Sequence, residues 1–145
     1  MTAAALASPL VLRAASGDDI GFAVSTWAQE AVRDVAGAPG LADLFPAGSQ
    51  ERITLKRAIE ARARRLIAHG ELIVAAFDEA PAYLLGWVCV GNGALHFVYV
   101  RSEHRGGGVC RMLLDSVGWQ DGPVTHWSGH LPGGRYEPER LRGPR

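Results

Sequence analysis

The fold of this chain is decided by residues 98–114, which read Val98-Tyr99-Val100-Arg101-Ser102-Glu103-His104-Arg105-Gly106-Gly107-Gly108-Val109-Cys110-Arg111-Met112-Leu113-Leu114. The stretch starts in a β-rich apolar segment, 94–100, and runs through three consecutive glycines. Beyond them apolar residues recur at helical spacing up to Gly118, at Val109, Met112, Leu113 and Val117. The pattern predicts a strand joined directly to an amphipathic helix by a glycine loop.

A glycine loop in this position is suited to binding an anion. Glycines let the backbone turn tightly and let a ligand approach with no Cβ in the way. The N–H groups and dipole of the new helix favour phosphate there, and Arg105 and Arg111 flank the loop. A flexible glycine turn is the structural alternative. The stretch lacks Gly-x-x-x-x-Gly-Lys-Ser/Thr, which excludes a P-loop NTPase, and it lacks the dinucleotide-binding fingerprint Gly-x-Gly-x-x-Gly.

Upstream of the loop the sequence predicts a strand and two helices. Residues 1–8 are expected to form a loose tail, and Leu10–Ala14 is a short β-rich run. Ser16 signals the start of a helix that ends at 37–40, and Ser49 caps a second helix, Gln50–Ala68. The apolar residues expected to be buried are Ile20, Val24, Trp27, Ala31 and Val35 in the first helix, and Ile53, Ile59, Ala63, Leu66 and Ile67 in the second.

From Glu71 onward the hydrophobic period changes from helix to strand. Apolar runs at 72–77, 83–90 and 94–100 are separated by turn residues, which predicts a three-stranded antiparallel meander. After the glycine-loop helix, 124–128 is expected to form a last short strand. The order predicts an α+β fold with a mixed, mainly antiparallel sheet flanked by helices. We expect one domain over 9–130 and a Gly/Pro/Arg-rich C-terminal tail over 131–145.

Composition narrows the function classes. The chain has 145 residues, 48% of them hydrophobic, and fifteen basic residues balance fifteen acidic ones. This composition is that of a globular domain, and a formal charge of zero provides no global field for nucleic acid or an anionic membrane. Cys89 and Cys110 lack metal-site spacing, so no metal site is predicted. Without a secretory pattern or a long apolar run, the protein is expected to be cytoplasmic and not membrane-bound.

The glycine loop resembles the signature of the GNAT superfamily of acyl-CoA-dependent N-acyltransferases. That signature is Gln/Arg-x-x-Gly-x-Gly/Ala after a β-strand, and this chain has Arg105-Gly106-Gly107-Gly108-Val109-Cys110 after the 98–104 segment. Cys110 replaces the final Gly or Ala, and Ser102 stands where proline is frequent. The resemblance extends over the order of elements from residue 10 to residue 128, and it implies a GNAT-like fold with a shortened C-terminal end.

The resemblance also implies a substrate and the residues that bind it. The substrate is acyl-CoA, with acetyl-CoA as the default, and the acceptor is a primary amine of unknown identity. The pantetheine arm would run beside the strand, against backbone groups of Val98 and Val100. The residues implied for the pyrophosphate are Arg105, Gly106, Gly107, Gly108, Cys110 and Arg111. The segments expected to shape the acceptor site are 37–48 and the tail. His126, Trp127 and His130, beside the last predicted strand, are candidates to line an acceptor pocket, with aromatic packing against the sheet as the alternative.

His96 is the candidate general base, because a histidine titrates near neutral pH. Strand alternation would place it with Ala94, Val98 and Val100 on one face, and would place Leu95, Phe97 and Tyr99 on the other. The position is similar to that of a histidine in the aralkylamine-acetylating branch of the family, whereas the glutamate of other branches corresponds to Ala94. A buried histidine with a satisfied hydrogen bond is the structural alternative.

Tyr136 is the candidate acid for the leaving thiolate, because many relatives use a tyrosine on a helix after the fifth strand. The prolines and glycines around Tyr136 argue against a helix there, and an ordinary tail aromatic is the structural alternative. Cys110 at the helix start is a possible nucleophile, with packing as the alternative.

Two other functions fit the sequence. One resembles phage-type GNAT-like proteins that modify nucleic-acid bases, to which arginines at 135, 140, 142 and 145 lend support. The other is a non-catalytic module that binds acyl-CoA or a protein partner. Because the C-terminal end is short, a second copy of the chain would complete the sheet edge, or a large acceptor would cover it.

Overall fold

The computed structural model describes residues 9–125 and 133–137. Within these residues the chain forms β1 (Leu10–Ala14), α1 (Gly17–Ala36), α2 (Gln50–Ala68), β2 (Glu71–Phe77), β3 (Ala80–Gly91), β4 (Ala94–Val100), α3 (Val109–Ser116), β5 (Gly122–Val124) and β6 (Gly134–Tyr136). Short 3₁₀ helices lie at Ala42–Leu44 and Ser102–His104. The predicted bounds of α1 and α2 are confirmed.

All six strands belong to one sheet in the order β1-β2-β3-β4-β5-β6. The pairs from β1 to β4 are antiparallel, and the β4–β5 and β5–β6 pairs are parallel. The α+β, mainly antiparallel prediction is confirmed, including the three-stranded meander β2-β3-β4.

The segment predicted to be a C-terminal tail contributes to the sheet. Gly134–Tyr136 pairs with β5, and Glu137 N donates to Val124 O at 2.8 Å. The β5 edge, which we expected a second copy of the chain or a large acceptor to cover, is therefore paired by this chain itself. The last predicted strand also starts earlier than expected, because β5 spans Gly122–Val124 and residues 126–128 lie outside the described residues.

The helices lie on both faces of the sheet and divide the core in two. The α1/α2 face buries Ala23, Val24, Trp27, Ala31, Ala63, Leu66, Ile67, Leu72, Val74, Ala76, Leu84, Trp87 and Cys89. The α3 face buries Ala75, Leu85, Val88, Leu95, Val100, Val109, Leu113, Leu114, Trp119 and Val124. The first set is rich in aromatic rings and the second is mainly aliphatic.

Helix starts follow the predicted capping chemistry. The carboxylate of Asp19 accepts hydrogen bonds from Ser16 N at 2.8 Å and Ser16 Oγ at 3.0 Å, and it also pairs with Arg13 of β1. The Arg13 guanidinium hydrogen bond lowers the pKa of Asp19. At α2, Ser49 Oγ accepts from Arg52 N at 3.2 Å.

Two residues expected in the core are exposed. Ile53 is 41% exposed, and the buried residues of α2 all lie in its C-terminal half. Met112 is 37% exposed, because the short helix α3 turns Val109, Leu113 and Leu114 toward the sheet. Both predictions were wrong, since periodicity marks a stripe but not how far along it the neighbouring layer extends.

Candidate functional site

The glycine loop connects β4 to α3 as predicted. Gly106 and Gly108 have φ values of +86° and +87°, a region that side chains other than glycine rarely adopt. A Cβ atom at either position would meet no other atom within 4 Å, so the backbone there faces open space. Gly108 is the N-cap of α3, and Met112 N donates to its carbonyl at 3.1 Å.

The start of α3 can hold an anion. The amides of Val109, Cys110 and Arg111 form the first turn, where a helix has no carbonyl to bond them, and the helix dipole adds partial positive charge. Arg105 and Arg111 are both exposed beside this turn. Arg105 Nε donates to Val100 O at 2.9 Å, which anchors the side chain at the end of β4. The loop therefore fits a phosphate or pyrophosphate group.

The segment before the glycines is braced against β3. The Arg101 guanidinium lies over the rings of Phe22 and Tyr83, 4.7 Å and 4.5 Å from their centroids. The Tyr83 hydroxyl lies 3.1 Å from His104 Nε2, and the His104 ring packs edge-on against Phe77. These contacts hold the entry to the glycine loop in place.

One edge of β4 carries backbone groups that no described strand pairs with. Arg101 N donates to Leu85 O of β3 at 2.7 Å, so by strand alternation Val98 and Val100 direct their backbone groups to the opposite edge. On that edge β5 meets β4 at a single residue pair, Leu95 with Val124. Within the described part of the chain, nothing continues the sheet beside Val98 and Val100. An extended ligand can therefore lie along this edge and end at the glycine loop.

His96 lies at a β-bulge that breaks the predicted alternation. Val90 pairs with Leu95 and Cys89 with Phe97, so His96 is an extra residue in β4. As a result Leu95 packs on the α3 face with Val98 and Val100, whereas Phe97 packs on the α1/α2 face. The prediction that Leu95 shares a face with Phe97 and Tyr99 was wrong, because a bulge shifts the period by one residue.

The His96 side chain is buried and pairs with a residue that the sequence did not single out. It is 3% exposed, and its Nδ1 lies 2.8 Å from Thr125 Oγ1. Burial lowers the pKa of His96 to about 4, so the ring is neutral near pH 7. His96 as a general base stays a prediction, and in this structure its defined polar contact is the Thr125 hydroxyl.

A cavity of about 330 Å³ lies between α1 and α2 and reaches the C-terminal strands. Most of its lining is apolar, and the polar lining residues are Asp34, Arg62, Thr125 and Tyr136. Thr125 therefore connects the cavity to His96. The residues that line the cavity are Trp27, Ala31, Asp34, Val35, Ala38, Leu41, Leu55, Ile59, Arg62, Ala63, Leu66, Thr125 and Tyr136.

The structure thus brings distant candidates together. Tyr136 lines the same cavity as Thr125, from the edge strand β6, and is 53% exposed. Ala38 and Leu41 come from the 37–48 segment that was expected to shape the acceptor site. The sequence did not identify Thr125 or the residues of α1 and α2 as lining a cavity. An apolar stripe on a helix has the same spacing whether it packs against a sheet or lines a cavity.

Cys110 has the environment of a packing residue. Its side chain is partly buried against the α3 face, and burial raises the pKa of the thiol despite the nearby charge of Arg111. The structure gives this thiol no activation as a nucleophile. Its backbone amide, in contrast, lies in the first turn of α3.

Several predicted residues lie outside the described residues, among them His126, Trp127 and His130, and the arginines at 140, 142 and 145. Arg135 lies on β6 with its Nη2 atom 3.9 Å from Glu137 Oε2. Within residues 9–125 and 133–137, no group of three or more His, Cys, Asp or Glu side chains could hold a metal ion. No helix in these ranges combines the length and apolarity needed to cross a bilayer.

Comparison with known proteins identifies the fold. A GCN5-related N-acetyltransferase from Rhodopseudomonas palustris, also labelled as a class-II aminotransferase, superimposes with a TM-score of 0.50 at 15% identity. The match covers 76% of this chain and 64% of that protein's length. A structure described as histone acetyltransferase HPA2 and related acetyltransferase, from Corynebacterium glutamicum, matches with a TM-score of 0.50 at 17% identity, covering 74% of this chain and 69% of the other. The protein therefore has the GNAT fold.

At the level of sequence, no protein-family model and no curated protein matches the chain.

Proposed function

We propose that this protein is an acyl-CoA-dependent N-acyltransferase, and most simply an N-acetyltransferase, acting on a primary amine. The observation that carries the proposal is the continuity of two binding elements. The unpaired edge of β4 at Val98 and Val100 leads directly to the glycine loop at the start of α3. An extended arm ending in a pyrophosphate has the shape that these two elements accept.

The donor is bound mainly by backbone. The amides around Gly107 and Gly108 and the first turn of α3 bind the pyrophosphate, and Arg105 and Arg111 add positive charge. The N–H of Val100 and the backbone groups of Val98 bind the pantetheine arm, whereas the Val100 carbonyl already accepts from Arg105. These contacts leave the thioester near the end of β4 that carries His96.

The reaction itself conserves protons. The amine nitrogen attacks the thioester carbonyl, a C–N bond forms and the C–S bond breaks. The amine loses one proton and the leaving thiolate gains one, so no co-reactant is needed. Tyr136 supplies the proton to sulfur in this proposal, and its phenolate takes up the proton that the amine nitrogen loses, which restores the tyrosine. His96 acts as a positioning residue, because its Nδ1 is hydrogen-bonded to the Thr125 hydroxyl and thereby orients that oxygen.

The test is calorimetric titration with acetyl-CoA and with CoA. Gly107→Glu places a carboxylate in the phosphate site without the strain of a left-handed position, since Gly107 does not have a positive φ. Gly21→Glu is the matched control, because Gly21 lies in α1 with open space around it. We expect Gly107→Glu to weaken acetyl-CoA binding by about tenfold or more, the loss of one charge-assisted contact, with Gly21→Glu unchanged.

Absence of acetyl-CoA binding by the unaltered protein would refute the proposal, as would equal losses in both variants. Binding without turnover of any primary amine would identify the protein as a non-catalytic acyl-CoA-binding module.

A further inference from the structure

From the α1–α2 cavity we infer the chemical class of the acceptor, which is a small primary monoamine whose body is apolar. The inference rests on the proposed function and deepens it. The cavity volume of about 330 Å³ is at the small end for ligand sites, which hold drug-sized molecules at roughly 300–1,000 Å³. A cavity of this size holds a small molecule and not a large one.

The lining argues against a polar body. Nine of the thirteen lining residues are apolar, and they include Trp27, Leu55 and Leu66, which contact any group that enters. A hydroxyl or second amine placed against them would lose its water without gaining a partner. A phenyl or alkyl group would be stabilised by the area it buries.

The charges argue against polycations and polyanions. The two charged residues of the lining, Asp34 and Arg62, have opposite signs, so together they give the cavity no net charge. A polyamine or a nucleotide would require a clear excess of one sign. A monoamine with an apolar body does not.

The apolar lining also suits the form of the amine that reacts. Only a neutral amine can attack the thioester, and removal from water favours the neutral form of an amine. His96 is neutral and buried. Of the polar contacts that the structure describes, the one with Thr125 links His96 to the cavity. The ammonium ion therefore loses its proton to solvent as the amine leaves water, and the Thr125 hydroxyl oxygen accepts a hydrogen bond from the amine N–H.

The experiment compares three acceptors with acetyl-CoA as donor, following release of CoA. The acceptors are 2-phenylethylamine, ethanolamine and spermidine. We expect kcat/KM for 2-phenylethylamine to exceed the other two by at least about tenfold, the ratio that burial of one phenyl group supports. A preference for ethanolamine or spermidine would overturn the inference.

Two leucine variants locate the site. Leu41 lines the cavity and is 37% exposed, whereas Leu44 is 56% exposed on the same connection and does not line it. Leu41→Asp is expected to lower kcat/KM for 2-phenylethylamine by about fivefold or more, with acetyl-CoA affinity unchanged. Leu44→Asp is expected to change neither quantity, and both exposed positions tolerate a charge without unfolding. Equal effects of the two variants would overturn the assignment.

Failure of the proposed function can be told apart from failure of this inference. If acetyl-CoA does not bind, the transferase proposal fails. Calorimetric titration with 2-phenylethylamine alone then still tests the cavity. Binding that is weakened in Leu41→Asp but not in Leu44→Asp supports the apolar amine site, and no binding to the unaltered protein overturns it.

Discussion

The two faces of the sheet present different chemistry to a ligand. At the α3 face the glycine loop offers backbone amides at a helix start, which recognise phosphate whatever the neighbouring side chains are. At the α1/α2 face the cavity offers side chains from two helices, from the connection between them, from Thr125 after β5 and from Tyr136 of β6. In the proposed function the first binds the donor and the second selects the acceptor. A phosphate site built from backbone can thus be predicted from a short motif, whereas the lining of the cavity is spread over the tertiary structure and cannot.

We expect the core on the α1/α2 face to contribute more to the free energy of unfolding than the core on the α3 face. Trp87 stacks on Phe97 at 5.5 Å between ring centroids, and its Nε1 donates to Thr26 Oγ1 at 2.8 Å. Trp87→Ala removes the central ring of the α1/α2 face, and we expect a loss of about 4 kcal/mol in the free energy of unfolding. Leu113→Ala on the α3 face is expected to cost about 3 kcal/mol. Urea denaturation of both variants measures the difference, and a larger loss for Leu113→Ala would reverse our view of which face holds the stronger core.

The free energy of unfolding should also depend on pH through His96, the extra residue of the β4 bulge. The pKa of His96 falls from its ordinary 6.5 to about 4 on folding, so the unfolded chain binds a proton that the folded chain does not. Stability is full above pH 6.5 and decreases as the pH falls toward 4, by about 3 kcal/mol. Urea denaturation between pH 7 and pH 4 measures this loss. His96→Asn should remove it, and the control His69→Asn, at the exposed end of α2, should retain it. An unchanged pH dependence in His96→Asn would show that other groups cause the loss.

Thr125→Val tests whether donor binding and acceptor binding are separate within the site. Removing the hydroxyl leaves His96 Nδ1 buried without its partner, which should cost about 2 kcal/mol. We expect acetyl-CoA affinity to stay unchanged, because the donor is bound at the glycine loop, and the KM of the amine to rise. Thr125→Ser, which keeps the hydroxyl, should restore the KM. Loss of acetyl-CoA binding in Thr125→Val would show that the two binding functions are not separate.

A substitution at Cys110 tests whether the donor is bound by backbone groups, and not by side chains, on the α3 face. Cys110→Ala keeps the amide in the first turn of α3 and removes a partly buried thiol. We expect a stability loss of at most about 1 kcal/mol and no change in acetyl-CoA affinity or turnover. A large fall in turnover, measured by CoA release, would indicate that the thiol takes part in the reaction.

Much of the fold could be predicted from local patterns. The capping residues Ser16 and Ser49 and the glycines that end each helix defined α1 and α2, because these signals act within a few residues. The glycine loop could be predicted for the same reason. The face assignment of Leu95 could not, because the bulge at His96 depends on how β3 and β4 align.

The candidate acceptor site shows the limit more sharply. Thr125 looked like one more residue of a short strand, and Tyr136 lay in a segment that read as a tail. Their meeting depends on the parallel pairing of β5 with β6, two segments separated in the sequence by residues that carry no periodic signal.

Local patterns in the sequence were enough to predict the order of helices and strands up to β5, the glycine loop before α3 and the likeness to an acyl-CoA-dependent family, because each follows from contacts between near neighbours in the chain. The tertiary structure alone decided the pairing of His96 with Thr125, the unpaired edge of β4 beside the loop, and the cavity that joins α1, α2 and β6. These depend on residues far apart in the chain, whose approach is set by sheet register and helix packing, and neither quantity is encoded in any single stretch.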